Sequence, residues 1–141
     1  MNNYNFFDDF NNNFLNPNNK AYFPDTSNLF GPYEGYLRGN LFKDLYSQYK
    51  NFRPATLRFN SEQEEALFNL SQIGFAMHEL NLYLDIHPED RNMLNIFMDY
   101  KNLYNNLLNT YEQKYGPITV NGVDGTTPFS WVNTTFPWEV K

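Results

Sequence analysis

Apolar residues recur at alternating steps of four and three in two stretches of this chain. The first runs through Ala66, Leu70, Ile73, Met77, Leu80 and Leu84. The second runs through Met93, Phe97, Tyr100, Tyr104, Leu107 and Tyr111. That spacing is the signature of one continuous face on an α-helix. It predicts helices over 61–84 and 88–115. Ser61 with Glu64 fits a capping box, and the acids Glu62, Glu64 and Glu65 suit the positive end of a helix. His87 precedes a proline, which pushes it out of the helical region, and Pro88 suits the first position of a new helix. Gly116-Pro117 ends the second helix. So short a connection predicts antiparallel neighbours, an αα-hairpin over 61–116.

The two helices differ on their far sides. At about 100° per residue, the second helix carries Asn95, Asp99, Asn102, Asn106, Asn109 and Gln113 opposite its stripe, a face for water. The first carries Phe68, Phe75 and Leu82 there. A helix that is apolar on both sides has to be covered on both sides, and the second helix can cover only one. The sequence leaves three covers for the Phe68 face: the aromatic segment before the hairpin, the tail after it, or another protein.

Outside the hairpin the pattern dissolves. Residues 1–19 are rich in asparagine with scattered phenylalanines and no period, and read as a disordered leader. Residues 20–55 hold Pro24, Gly31, Pro32, Gly35, Gly39 and Pro54, too many breakers for long elements. Short helical turns are predicted around Tyr33–Arg38 and Leu41–Tyr49. Residues 117–141 form a loop-like tail that ends in Trp131, Phe136, Pro137 and Trp138. The predicted fold is therefore mainly α: a two-helix hairpin between a loop-rich aromatic segment and an aromatic tail.

Composition narrows the function. The 141 residues carry a net charge of −6 and no cysteine. An acidic chain without a basic stripe is not built to neutralise phosphates, so nucleic acid is not an expected partner. The absence of cysteine removes disulfides and thiolate metal sites. The N-terminus lacks the basic and apolar regions of a signal peptide, and no stretch has the apolar length of a bilayer span. These features point to a soluble protein made inside the cell. Aromatic residues make up 19% of the chain against 18% charged, a balance that favours contact surfaces.

Candidate chemistry is sparse. His78, Glu79, Asp85 and His87 form the one tempting polar cluster, but no Glu-x-x-His or His-Glu-x-x-His spacing occurs. Glu79 sits among apolar residues, where pairing with a backbone amide or a tyrosine hydroxyl is the ordinary outcome. No phosphate loop or nucleophile elbow is present. We expect no catalytic residue, no metal and no cofactor. The expected partner-binding residues are Phe68, Phe75, Leu82, Trp131, Phe136 and Trp138.

The stretch Phe75-Ala76-Met77-His78-Glu79-Leu80-Asn81-Leu82-Tyr83-Leu84-Asp85-Ile86-His87-Pro88-Glu89-Asp90 resembles the core motif of the CotJB spore-coat family. Tyr111-Glu112-Gln113-Lys114-Tyr115-Gly116-Pro117 is similar to that family's second signature, and Trp131 with Pro137-Trp138-Glu139 to its ending. The front segment, through Ala21-Tyr22-Phe23-Pro24 and Leu37-Arg38-Gly39-Asn40-Leu41-Phe42-Lys43-Asp44-Leu45-Tyr46, resembles the companion CotJA family, with Asn40 and Lys43 departing from its Thr and Pro. The chain thus looks like a CotJA–CotJB fusion. The resemblance implies a non-enzymatic role in assembling the coat of a bacterial endospore. It also implies synthesis in the mother cell, and a manganese-catalase-like coat protein among the partners. The alternative from the residues alone is a helical interaction adaptor unrelated to sporulation.

Overall fold

The computed structural model describes residues 25–45 and 51–133. Among these residues there are three α-helices and no strand: α1 (Pro32–Arg38), α2 (Glu62–Ile86) and α3 (Arg91–Tyr115). Two 3-10 turns follow, Val120–Gly122 and Ser130–Asn133. The leader, Phe136 and Trp138 lie outside the described residues.

Helix α2 starts where its cap predicts. The Ser61 hydroxyl accepts from the Glu64 amide at 3.1 Å. The Glu64 carboxylate reaches back one residue further than a capping box requires and accepts from the Asn60 amide at 2.7 Å. The helix runs two residues past the expected Leu84, to Ile86, and the His87 amide closes it on the Tyr83 carbonyl at 2.9 Å.

Pro88 does not open the second helix. It lies in the turn, and Asp90 is the N-cap, its carboxylate accepting from the Met93 amide at 3.0 Å. The physical reason is the cap. A start at Pro88 would leave His87, a poor acceptor of helical amides, as the capping residue, whereas aspartate is among the best. The other Asp90 oxygen accepts from the Tyr83 hydroxyl at 3.1 Å, so one side chain both starts α3 and ties it to α2. Helix α3 ends at Gly116, whose φ of 98° favours glycine.

The α2–α3 seam is the hairpin core. Ile73, Ala76 and Leu80 share one buried cluster with Met93, Ile96, Tyr100 and Leu103, and Leu70 is buried about one turn earlier on α2. Gly74 lets the Tyr104 ring close on α2: a Cβ there would sit 3.1 Å from the ring edge. At the open end Lys114 pairs with Glu62 at 2.7 Å, an exposed contact that contributes little.

The front segment adds a layer that the sequence pattern does not show. Leu41–Leu45 is not helical. Instead Leu29 and Phe42 form an isolated antiparallel bridge, with the Phe30 amide on the Leu41 carbonyl at 2.8 Å and the Lys43 amide on the Asn28 carbonyl at 3.0 Å. Helix α1 is the tip of this closed loop. Gly39, at φ 70°, terminates it, and the Asn40 side chain clamps both the amide and the carbonyl of Phe42. The loop lies over both long helices. Asn92 of α3 bonds the main chain of Asp25 twice, at 2.7 Å each, and Glu79 of α2 accepts from the Leu41 amide at 3.4 Å. Leu29, Leu41 and Phe42 are buried in the same core as the seam. Burial of such side chains contributes about 1.5–3 kcal/mol each.

Candidate interaction surface

The far face of α2 is partly covered by the chain itself. Phe68 meets Tyr33, Tyr36 and Phe59 with ring centroids 5.6, 5.4 and 5.2 Å apart, and Phe75 meets Tyr36 at 5.7 Å. The first two contacts and the Tyr36–Phe75 contact are edge-on, the arrangement aromatic quadrupoles favour. Both phenylalanines are half-buried, while Tyr36 keeps its outer side in solvent. Among the described residues the front segment is seated on Phe68 and Phe75 through Tyr33 and Tyr36.

The cover stops short of Leu82, which remains 47% exposed, and of Ile86 one turn on, at 76%. On α3 the pair Leu94 and Met98 is 43% exposed at each position. All four lie in the half of the hairpin nearest the turn. That turn also holds a shallow depression of about 340 Å³ lined by Tyr83, Ile86, His87, Pro88, Glu89 and Asp90. The His87 ring leans on Tyr83 at 4.5 Å, and Tyr83 stacks on Phe42 at 5.0 Å. Burial and the neighbouring Asp90 raise the Tyr83 hydroxyl above its ordinary pKa.

The tail is fixed to the end of α3 by Glu112, whose carboxylate accepts from the Ile118 amide at 3.1 Å and packs flat against Gly122. Asp124 then organises the next turn by accepting from the Thr126 amide and hydroxyl. Those hydrogen bonds hold its carboxyl below the usual range. Trp131 is half-buried, and Phe129 and Val132 present 49% and 69% of their surface. Helical periodicity could not find this tail arrangement, because it depends on one carboxylate and one glycine.

The polar cluster does not converge. His78 is exposed, His87 lies beside Tyr83 in the turn, and Glu79 faces the front segment, where it accepts from a backbone amide. Among the described residues no three His, Cys, Asp or Glu side chains stand close enough to hold a metal ion. The buried polar residue that the sequence reading missed is Gln72, fully enclosed on the side of α2 that carries Phe68 and Phe75. Its amide nitrogen donates to Asn69 at 2.9 Å, and its oxygen has no hydrogen-bond partner among the described residues. No helix among them is long and apolar enough to cross a membrane.

No curated protein and no solved structure matches the chain. One family model does, that of the CotJB protein, over residues 64–139. The matched stretch takes in nearly all of the hairpin and the tail that Glu112 holds to it, more than half of the chain. By that match the chain belongs to the CotJB family of spore-coat-related proteins.

Proposed function

We propose that this protein is a non-enzymatic component of the spore coat that docks other coat proteins, a manganese-catalase-like coat protein among them. It would be made in the mother cell and deposited in the coat. The observation that carries the reading is the set of apolar side chains left exposed near the turn of the hairpin: Leu82 and Ile86 on α2, and Leu94 and Met98 on α3. Side chains of this kind on a preorganised scaffold lose little entropy on binding. The half-buried Trp131, together with Phe136 and Trp138, would supply a second set of anchors of the type that dominate interface energies, often about 2 kcal/mol or more each. Phe68 and Phe75, which lie under Tyr33 and Tyr36, would join the contact where that cover is displaced on assembly. The front segment, similar to CotJA over 20–55, would be a companion part fused to the family unit.

The test is incorporation into the coat of sporulating cells. A Leu82→Ser, Ile86→Ser variant should keep wild-type helicity, since both side chains are exposed, and should be depleted from the coat fraction. Trp138→Ala should show the same loss more weakly. Wild-type incorporation of the folded double variant would place the docking surface elsewhere.

A further inference from the structure

The family match begins at residue 64, so the closed loop over 25–45 lies outside it. Yet that loop supplies Leu29, Leu41 and Phe42 to the core, and Leu41 is fully enclosed. The groove it fills is walled by α2 and α3, with Glu79 on one side and Asn92 on the other. Two features give the loop the character of a ligand. Its shape is held from within: the Leu29–Phe42 bridge, the Asn40 clamp and the Gly39 cap all close inside it, and only Asp25 and Leu41 bond the long helices. Its seat in the groove is mostly apolar. Residues 51–60, the described part of the connection to α2, hold no helix or strand and are largely exposed, and they touch the loop through Tyr33, whose hydroxyl donates to the Ala55 carbonyl and accepts from the Leu57 amide.

We propose that the α2–α3 groove also accepts this plug in trans, from a second copy of the chain, so that copies link by exchanging plugs. Exchange replaces each contact by an identical one, which makes it a low-cost route to association. The balance between the tethered and the borrowed plug is then set by concentration alone. A short tether holds its own plug at an effective concentration of about millimolar, and chains packed to comparable density compete with it. Once Ala55 and Leu57 let go of Tyr33, residues 51–60 can span about 30 Å, enough to hand the plug to a neighbour. This contact is between copies of the chain and is independent of the coat partners proposed above.

The chain has no cysteine, so two introduced thiols report which plug fills which groove. Asn92 bonds the main chain of Asp25, and the pair marks the seat. Chains carrying Asp25→Cys and Asn92→Cys singly, tagged to differ in size, are unfolded together and refolded at high concentration under mild oxidation. A disulfide-linked heterodimer is expected, rising with chain concentration and at least ten-fold reduced when the Asp25→Cys chain also carries Phe42→Asp. Leu45→Asp, at an exposed position, should leave the yield unchanged. A heterodimer yield no higher than in the Phe42→Asp mixture would overturn the proposal. The double variant Asp25→Cys, Asn92→Cys tests it without Phe42→Asp. It should give an internal disulfide at low concentration and covalent dimers at high concentration. An internal disulfide at every concentration would show that the plug never leaves its own groove, and no disulfide at all would refute the seat itself.

Discussion

Replacing Leu41 by alanine tests whether the front segment is core or merely cover. Leu41 has no exposed surface and lies in one cluster with Ile73, Ala76, Leu80 and Ile96. Truncation of a buried leucine costs about 2–5 kcal/mol, the transfer term plus the cavity left behind. The total stability of a domain this size is about 5–15 kcal/mol, so the change is a large share of it. With a urea slope of about 1–3 kcal/mol per molar, a loss near 3 kcal/mol moves the midpoint down by at least ~1 M. The control is Leu45→Ala, four residues on and 55% exposed, which should stay within about 0.5 kcal/mol of wild type. Far-UV circular dichroism follows the helices, and hydrogen exchange at the Phe30 and Phe42 amides follows the loop. If the loop is integral to the core, both should lose stability together. Equal midpoints for Leu41→Ala and Leu45→Ala would refute the placement of the front segment in the core. A loss of protection confined to the Phe30 and Phe42 amides would show that the loop opens on its own.

Leu80→Asp, in the seam, should unfold the hairpin, because an unpaired buried charge costs several kcal/mol, while Asn102→Asp on the wet side of α3 should be near neutral by circular dichroism. Gln72→Met should raise the urea midpoint by an amount equivalent to about 1 kcal/mol, since it removes a buried oxygen without a partner, and a lowered midpoint would mean the oxygen is satisfied. Burial, reinforced by the Asp99 charge, pushes the Tyr100 hydroxyl up to about 12. A raised folded value favours the protonated form, so this stabilisation is complete below pH 10 and lost as pH rises through 12. A fall of about 2–3 kcal/mol is expected across that window, and Tyr100→Phe should remove that share of the alkaline loss.

The hairpin was legible because two helices in contact impose their period on the sequence, and Leu70, Ile73 and Leu80 obey it. Its details needed the chemistry of single side chains. Pro88 looked like a helix start, yet the Asp90 carboxylate decided the register of α3. Ala76, Ile96 and Leu103 lie off the stripe yet are buried in the cluster that the front segment joins, and a helix wheel drawn for one neighbour does not show a second. The two-faced character of α2 did foretell a cover. What it could not show was that Leu29 and Phe42, thirteen positions apart, pair across a loop, because an isolated bridge leaves no period. The exposed pairs Leu82–Ile86 and Leu94–Met98 were legible only in part, since exposure at these positions depends on where the cover ends.

The Asp25–Asn92 contact spans 67 positions of chain, and this separation sets an order of events during synthesis. At about 5–20 residues per second, Asp25 leaves the ribosome roughly 3–13 s before Asn92 does. The plug can close its own short-range bonds at once, but its groove does not exist until α3 has followed α2. Through that interval Leu29, Leu41 and Phe42 have nowhere to go within their own chain. On a polysome the groove of a finished neighbour is already available, so the rate of translation, as much as the stability of the fold, governs which groove each plug meets first.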